Sequence, residues 1–285
     1  MEPLLQQAQI QYCNVYTDYK LHAIELVEQA IKEGYRKIVA VGGDGTNNEV
    51  INGIMCQDII PSNEILYTLL PIGTGNDWIR QHGIPKQKKA WIQMLLKQKS
   101  IWHNVGKVSF TKNKTQHDRY FINVAGMAYD GFVGKLLDNN KGQVFGKLRY
   151  LFAAVAGLIN YELTKTSIEF DDISIENYCY LINVGICKYS GGGMQLVPHA
   201  DPKQNSLAIT IARNLTKLNV IKSLPLLYNG KLDQHPLISL HHTQQIRINS
   251  SDGAPTFLEA DGEFLGESPI EITLVEKALQ VVVKE

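Results

Sequence analysis

The sequence predicts an α/β half with a parallel sheet, followed by a half built mainly of β-strands. Two units of strand, glycine-rich loop and helix succeed one another before residue 105, and strand-like runs crowd the chain after it. With 44% apolar and 20% charged residues over 285 positions, the chain is long and apolar enough to bury a core in each half. Alternating strand and helix gives parallel pairing, because the helix carries the crossover that a parallel neighbour requires. The expected domains are 1–105, of nucleotide-binding type, and 106–285, rich in β-strand.

The elements follow in order. From Leu21 to Lys32, Ile24, Val27 and Ile31 recur at helical spacing, and Gly34 follows where a helix end favours a left-handed residue. Lys37–Val41 (KIVAV) is a β-branched run, Gly42–Thr46 reads as a loop, and Asn48–Met55 reads as helix. The unit repeats: Ile65–Leu70 is the strand, Pro71–Asp77 (PIGTGND) the loop, and a helix starts at Trp78. Beyond residue 105, strands are expected at Lys107–Phe110, Tyr120–Val124, Ser167–Phe170, Cys179–Val184, Leu207–Ala212, Gln245–Ile248, Phe257–Glu259 and Ile270–Val275. Helical stretches are expected at Gly146–Tyr161 and Leu215–Tyr228.

Composition narrows the function. Lys+Arg and Asp+Glu are each 28, so no net field draws the whole molecule to nucleic acid or to an anionic membrane. Cys13, Cys56, Cys179 and Cys187 show no CxxC spacing and no signal peptide is evident, which fits reduced, buried thiols in a cytoplasmic chain. The longest apolar run, Leu151–Ile159, is far shorter than the roughly 20 residues that span a bilayer, so no transmembrane segment is expected. The eight histidines show no ligand spacing, and none is assigned to a metal or to catalysis.

Two loops carry the chemistry. Gly42, Gly43, Asp44, Gly45 and Thr46 sit at the carboxyl end of a predicted strand, where open parallel sheets bind ligands. Glycines let backbone amides approach phosphate oxygens, and the carboxylate and hydroxyl suit Mg²⁺ or ribose. A plain connecting turn is the competing reading. Gly73, Thr74, Gly75, Asn76 and Asp77 occupy the equivalent place on the next strand, so both loops should face one crevice at a helix N-terminus. Neither GxxxxGK[ST] nor GxGxxG occurs.

The run VAVGGDGTNNEVING (39–53), which includes Glu49, together with LLPIGTGNDWIR (69–80), resembles the diacylglycerol-kinase catalytic family of lipid kinases. YFINVAGMAYDGFV (120–133), FGKLRYLFAAVAG (145–157), Gly191–Gly193 with Pro198 and Ala200, and EADGE (259–263) extend the resemblance over nearly the whole chain. The resemblance implies an NAD kinase- or phosphofructokinase-like α/β domain, a C-terminal β-sandwich, and ATP with Mg²⁺ in the cleft between them. It implies Asp261 as general base on a lipid hydroxyl of diacylglycerol or a similar acceptor, with Glu263 also required. Asp261-Gly262 read as a dipeptide is otherwise a hairpin turn. An NAD kinase-like enzyme and a non-catalytic nucleotide- or lipid-binding protein are the alternatives. The lipid would be met at a membrane surface, by a cytoplasmic protein in transient association; a homodimer is left open.

The chain departs from the family at three places. An Asn-Pro-x-Ser-Gly-like first loop is not evident, Asn104 stands where an Asp is usual, and Gln204-Asn205-Ser206-Leu207 replaces an Asp-Gly-x-Leu loop that holds a structural Mg²⁺ in some relatives. Weaker candidates are the glycine triplet, an amphipathic stretch from Lys141 to Tyr161 that could border a lipid entry, and Lys86, Lys88 and Lys89 near Trp91.

Overall fold

A computed structural model describes residues 1–73, 75–139 and 147–284, with the backbone alone for 147–153. The first part comprises α1 (Glu2–Gln7), α2 (His22–Lys32), β1 (Lys37–Gly42), α3 (Asp44–Cys56), β2 (Leu66–Pro71), α4 (Trp78–His82) and α5 (Lys88–Lys97). There follow β3 (Ser100–Lys112), β4 (Thr115–Phe121), β5 (Val124–Ala128), α6 (Tyr129–Asn139), α7 (Lys147–Asn160), β6 (Thr164–Phe170) and β7 (Ile173–Gly185). The chain ends with β8 (Tyr189–Ser190), β9 (Met194–Gln195), β10 (Leu207–Arg213), α8 (Lys217–Asn229), β11 (Ile238–Thr243), β12 (Gln245–Ser250), β13 (Phe257–Ala260) and β14 (Glu263–Val282).

α2 forms because Ala23, Val27 and Ile31 share one face, and that face is the one buried. It lies on α3 so closely that a side chain at Gly53 would stand 2.8 Å from Val27 Cβ and 3.0 Å from the Ile24 carbonyl. α3 begins four residues earlier than the expected Asn48–Met55 helix. Asp44, Gly45 and Thr46 are its first turn, not a loop, with Gly43 as N-cap and the Asn47 amide donating to the Gly43 carbonyl at 3.0 Å. Glycine content argued for a loop there, but a first-turn glycine costs little when tertiary contacts hold the helix start.

Parallel pairing joins β1 to β2, and β2 to β14 at Leu66 and Tyr67; the other paired strands run antiparallel. β14, β12, β6, β7, β5 and β13 pair in a closed circuit, the body of the second half. β14 is the seam of the molecule, since it also pairs with β3 from Glu267 opposite Thr111 to Val282 opposite Ser100. Residue 105 falls in the middle of β3, so the chain crosses from one half to the other along a continuous strand. One apolar core accordingly runs from Ile31, Ile54, Tyr67 and Trp78 to Val105, Phe121, Ile182 and Ile272. Each such side chain taken out of water contributes about 1.5–3 kcal/mol.

Cys179 and Cys187 are buried, but Cys13 and Cys56 are exposed, contrary to the expectation for four inert core thiols. Among the described residues no helix is long and apolar enough to cross a membrane.

Candidate active site

β1 and β2 stay in register from Lys37 opposite Leu66 to Gly42 opposite Pro71, so both glycine-rich segments leave the sheet at one edge. The two segments touch. The Asp44 amide donates to the Gly75 carbonyl at 3.1 Å, and the Asp44 carboxylate accepts from the amides of Asp77 at 2.8 Å and Trp78 at 3.3 Å. A side chain at Gly43 would lie 2.6 Å from the Gly75 carbonyl oxygen, so only glycine lets the loops close. One at Gly42 would overlap the Thr46 hydroxyl. Of the first-turn amides of α3, that of Asp44 is taken by the Gly75 carbonyl, while those of Gly45 and Thr46 lack intrahelical acceptors, an arrangement that suits an anion.

Asp77 reaches across to the second half. Its Oδ2 accepts from the Gly192 amide at 2.6 Å, and Arg80 Nε stands 3.3 Å from its Oδ1. Gly191, Gly192 and Gly193 have φ of 63°, 89° and 103°, the left-handed range that turns this amide inward. The triplet is therefore a third wall of the crevice.

Asp261 and Gly262 form the hairpin turn between β13 and β14, at φ of 49° and 83°. The turn aims its carboxylate inward. Oδ1 accepts from the amides of Asn123 at 2.9 Å and Val124 at 3.2 Å, while Oδ2 accepts from the Ile122 amide at 3.0 Å and Asn48 Nδ2 at 2.8 Å. All four acceptor positions of the carboxylate are used. Asn48 belongs to α3, four residues beyond Asp44, so the hairpin is tied directly to the helix that opens the crevice. Asn48 Oδ1 accepts from Arg119 Nη2 at 2.8 Å, and the same nitrogen stands 3.3 Å from Glu263 Oε2. Lys20 also pairs with Glu263.

Charge accumulates behind these contacts. Burial pushes the Asp44 carboxyl up to about 6, against the backbone hydrogen bonds that lower it, and the charges of Asp77 and Asp261 add to the rise. Burial raises Asp261 too, opposed by its donors. Glu259, held well above the ordinary range by burial and by Asp130, accepts from the Gly262 amide at 2.7 Å. Asp130 is raised by burial to about 6, with Asn183 beside it. Ala128 and Phe257, each two residues before one of these acids, border an apolar cavity of about 240 Å³ with Phe132, Tyr161 and Pro255.

Nucleotide-borne Mg²⁺ fits the donors present. Asn76 Oδ1, buried and without a hydrogen-bond partner among the described residues, and the carboxylates of Asp44 and Asp77, the latter shared with Arg80, are the oxygens at hand, and hard oxygen donors are what Mg²⁺ takes. A structural Mg²⁺ at Asn104 does not fit. Asn104 Nδ2 donates to the Gln204 carbonyl at 2.6 Å and Asn104 Oδ1 accepts from the Lys277 amide at 2.7 Å, so an amide proton points where a cation would sit.

Of the residues expected at the site, Gly42, Gly43, Asp44, Gly45, Thr46, Gly73, Asn76 and Asp77 gather in the crevice, while Asp261 and Glu263 meet it through Asn48 and Arg119. Glu49 is half-buried on α3 beside Asn48. Thr74 and residues 141–146 lie outside the described residues. Asn48, Arg119, Glu259 and Asp130 escaped the sequence reading. Asn48, Asp130 and Glu259 lie inside motifs already singled out, so tighter weighing of every polar position in them would have found all three.

Residues 1–108 match the family described as diacylglycerol kinase catalytic domain, and residues 123–283 match the YegS C-terminal NAD kinase beta sandwich-like domain. A diacylglycerol kinase of Staphylococcus haemolyticus is 27% identical over 256 residues, covering 89% of this chain and 73% of its own. One from Staphylococcus aureus is also 27% identical, covering 89% of this chain and 76% of its own. The crystal structure of a diacylglycerol kinase from Bacillus anthracis superposes with a TM-score of 0.67 at 18% identity, over 95% of this chain and 84% of that one. Yeast NADH kinase complexed with NADH superposes with a TM-score of 0.50 at 13% identity, over 90% of this chain and 64% of that one, a likeness of fold alone.

Proposed function

The chain belongs to the diacylglycerol kinase family and is an ATP-dependent lipid kinase, and from that premise we propose that it phosphorylates the hydroxyl of diacylglycerol or a close relative, with Asp261 as general base. The observation that carries the reading is the Asn48 bridge, which fastens the Asp261 carboxylate to α3 at the edge of the phosphate-binding crevice.

The amides of Gly43, Gly45 and Thr46, with Gly73 and Gly75, cradle the nucleotide phosphates. Asp44, Asn76 and Asp77 would hold Mg²⁺, which would neutralise charge on the transferring phosphoryl group. Gly192, through Asp77, shuts the crevice from the side of the second half. Accepting the lipid proton requires Asp261 to release one of its four donors. Three are backbone amides held by the strands around 122–124; the fourth, Asn48 Nδ2, also donates to the Tyr120 carbonyl at 3.1 Å and keeps that acceptor when its bond to Asp261 is given up. Glu263 then acts by position: it holds Arg119, which holds Asn48 Oδ1. The apolar cavity bordered by Phe132, Tyr161 and Phe257 suits an acyl chain. The enzyme meets its lipid at a membrane surface from the aqueous side, and residues 1–105 serve as the nucleotide domain, of the parallel NAD kinase-like type.

The test is a kinase assay with ATP and Mg²⁺ against vesicles of extracted lipids and against NAD, read by mass shift. A phosphorylated diacylglycerol is expected. Phosphorylation of NAD with no lipid product would overturn the acceptor assignment.

A further inference from the structure

His82 at the end of α4, His103 in β3 and Cys187 just past β7 come from three distant segments and meet in the interior, with 7%, 0% and 0% of their surface exposed. The phosphoryl-transfer site uses none of them. His82 Nε2 and His103 Nε2 are 3.1 Å apart, and Cys187 Sγ lies 3.8 Å from the second and 4.0 Å from the first. With bonds of about 2.0–2.1 Å to imidazole nitrogen and about 2.3 Å to sulfur, one ion touching all three would subtend angles of roughly 100°, 120° and 135°. Those angles lie almost in a plane, so a trigonal ion bonds all three atoms without moving any.

The surroundings prepare the ligands. The Asn104 carbonyl, which can only accept, stands 2.5 Å from His103 Nδ1; that nitrogen must carry the proton, and the Nε2 lone pair faces the cluster. A backbone carbonyl in this role is the usual outer support of a metal-bound imidazole. Trp78 Nε1 is 3.4 Å from the same Nε2, a long contact that an ion would displace. Burial keeps both rings neutral, His103 down to about 4; since the His103 Nε2 lone pair faces His82 Nε2 at 3.1 Å, His82 Nε2 carries the proton in the metal-free protein, and binding moves it to His82 Nδ1.

We propose that His82, His103 and Cys187 form a trigonal site for a thiophilic d¹⁰ metal ion, Cu⁺ in preference to Zn²⁺. Soft thiolate with two imidazoles selects such ions. Charge decides between them: a thiolate with Cu⁺ is neutral, whereas with Zn²⁺ it leaves a positive charge buried, which is costly. Asp261, Asp201 and Asp44 act on Cys187 and Asp201 also on His103, while Lys203 acts on His82; Lys188, Lys203 and Lys284, with Asp201, border the polar cavity of about 290 Å³ through which an ion would reach His82. Three lysines against the one carboxylate of Asp201 leave the mouth basic, which disfavours entry of the divalent ion. Binding replaces the Sγ–H bond by a metal–sulfur bond and releases one proton to solvent, with no change of oxidation state. The ion clamps α4, which follows the Asp77 loop, to β3 and to the segment after β7.

The experiment uses the full chain with Cys13→Ser and Cys56→Ser, which removes the exposed thiols. It is loaded anaerobically with Cu⁺ or with Zn²⁺, dialysed, and assayed for bound metal and Tm. Expected are a single retained equivalent of Cu⁺, a raised Tm, and affinity falling about tenfold per unit drop in pH. Cys187→Ser and, separately, His82→Gln should lose the metal while keeping the metal-free Tm near that of the parent. Zn²⁺ retained in place of Cu⁺, with the same loss in both variants, would overturn the choice of ion. Absence of retained metal in the parent, or equal retention in either folded variant, would overturn the site.

Discussion

At the scale of single residues, Asp261 anchors the hairpin by four hydrogen bonds and is the proposed general base, and substitution should separate the two. In Asp261→Asn the new amide must point its hydrogens at the donors of Asn123 and Val124 or at those of Ile122 and Asn48, whichever way it turns. The expected cost is about 1–3 kcal/mol of stability, read as a lower urea midpoint. Lipid phosphorylation should fall by about 10² to 10⁴ if the lost group is a general base, with the ATP dissociation constant little changed. A rate within a fewfold of the parent would remove Asp261 from the chemistry. Asn104 gives a second prediction. Asn104→Asp sets a carboxylate against the Gln204 carbonyl 2.6 Å away, so the variant should melt lower without divalent ions and recover in Mg²⁺, whereas the parent should be indifferent to Mg²⁺ in the absence of nucleotide. A variant with no Mg²⁺ response would mean the loop cannot form the site even with the charge restored.

At the scale of elements, the crevice depends on two loops held together by Asp44 and by the absence of a side chain at Gly43. Gly43→Ala puts a methyl 2.6 Å from the Gly75 carbonyl and should push the loops apart, weakening ATP binding by about tenfold or more while the core packs as before. Calorimetric titration with ATP and Mg²⁺ measures it; parental affinity would show that the loops need not touch. The acidity of the crevice makes a further prediction. The folded Asp44 carboxyl is raised from 3.8 to about 6, so its contribution to stability is complete below 3.8 and is lost as pH rises through 6. His82 and His103 shift the other way and lose stability as pH falls, so Tm against pH blends opposite trends. Mg²⁺·ATP affinity is the cleaner reading: it should decline below an inflection near 6, where Asp44 takes up its proton. An affinity flat from pH 5 to 8 would exclude Asp44 as a metal holder.

At the scale of the whole molecule, β14 joins what the chain order separates. It lies beside β2, β3, β12 and β13, and the apolar core is continuous across the two halves. Residues 1–105 expressed alone would leave the β2 edge and Tyr67 without the strand that covers them, and should not fold on their own. Urea unfolding of the full chain should then be one transition, with tryptophan fluorescence from Trp78, Trp91 and Trp102, all in the first half, coinciding with far-ultraviolet dichroism. Two separated transitions, or a cooperatively folded 1–105 fragment, would mean that each half is stable without the seam.

The local order of the site was legible in the sequence because glycine loops, β-branched strands and helix starts are written in neighbouring residues. The two strand, loop and helix units, the crevice residues from Gly42 to Asp77 and the Asp261-Gly262 turn all follow from spacing and residue type. Spacing could not reveal how a carboxylate is partnered. Asn48 and Asp261 are separated by 213 positions, Arg119 and Glu263 by 144, and His82 and Cys187 by 105, so their meetings depend on how strands from both halves align along β14. The helix beginning at Asp44 was misread for the same reason: its first turn is held by the Gly75 and Asp77 loop of the next unit, not by its own composition. Burial is likewise a property of the assembled core, and it is burial that lifts the Asp44, Asp130 and Glu259 carboxyls and keeps His103 neutral. The sequence by itself thus determined which chemical groups the enzyme owns and in which local shapes; the tertiary structure alone decided which of them meet, because contact between distant segments is set by packing of the whole core.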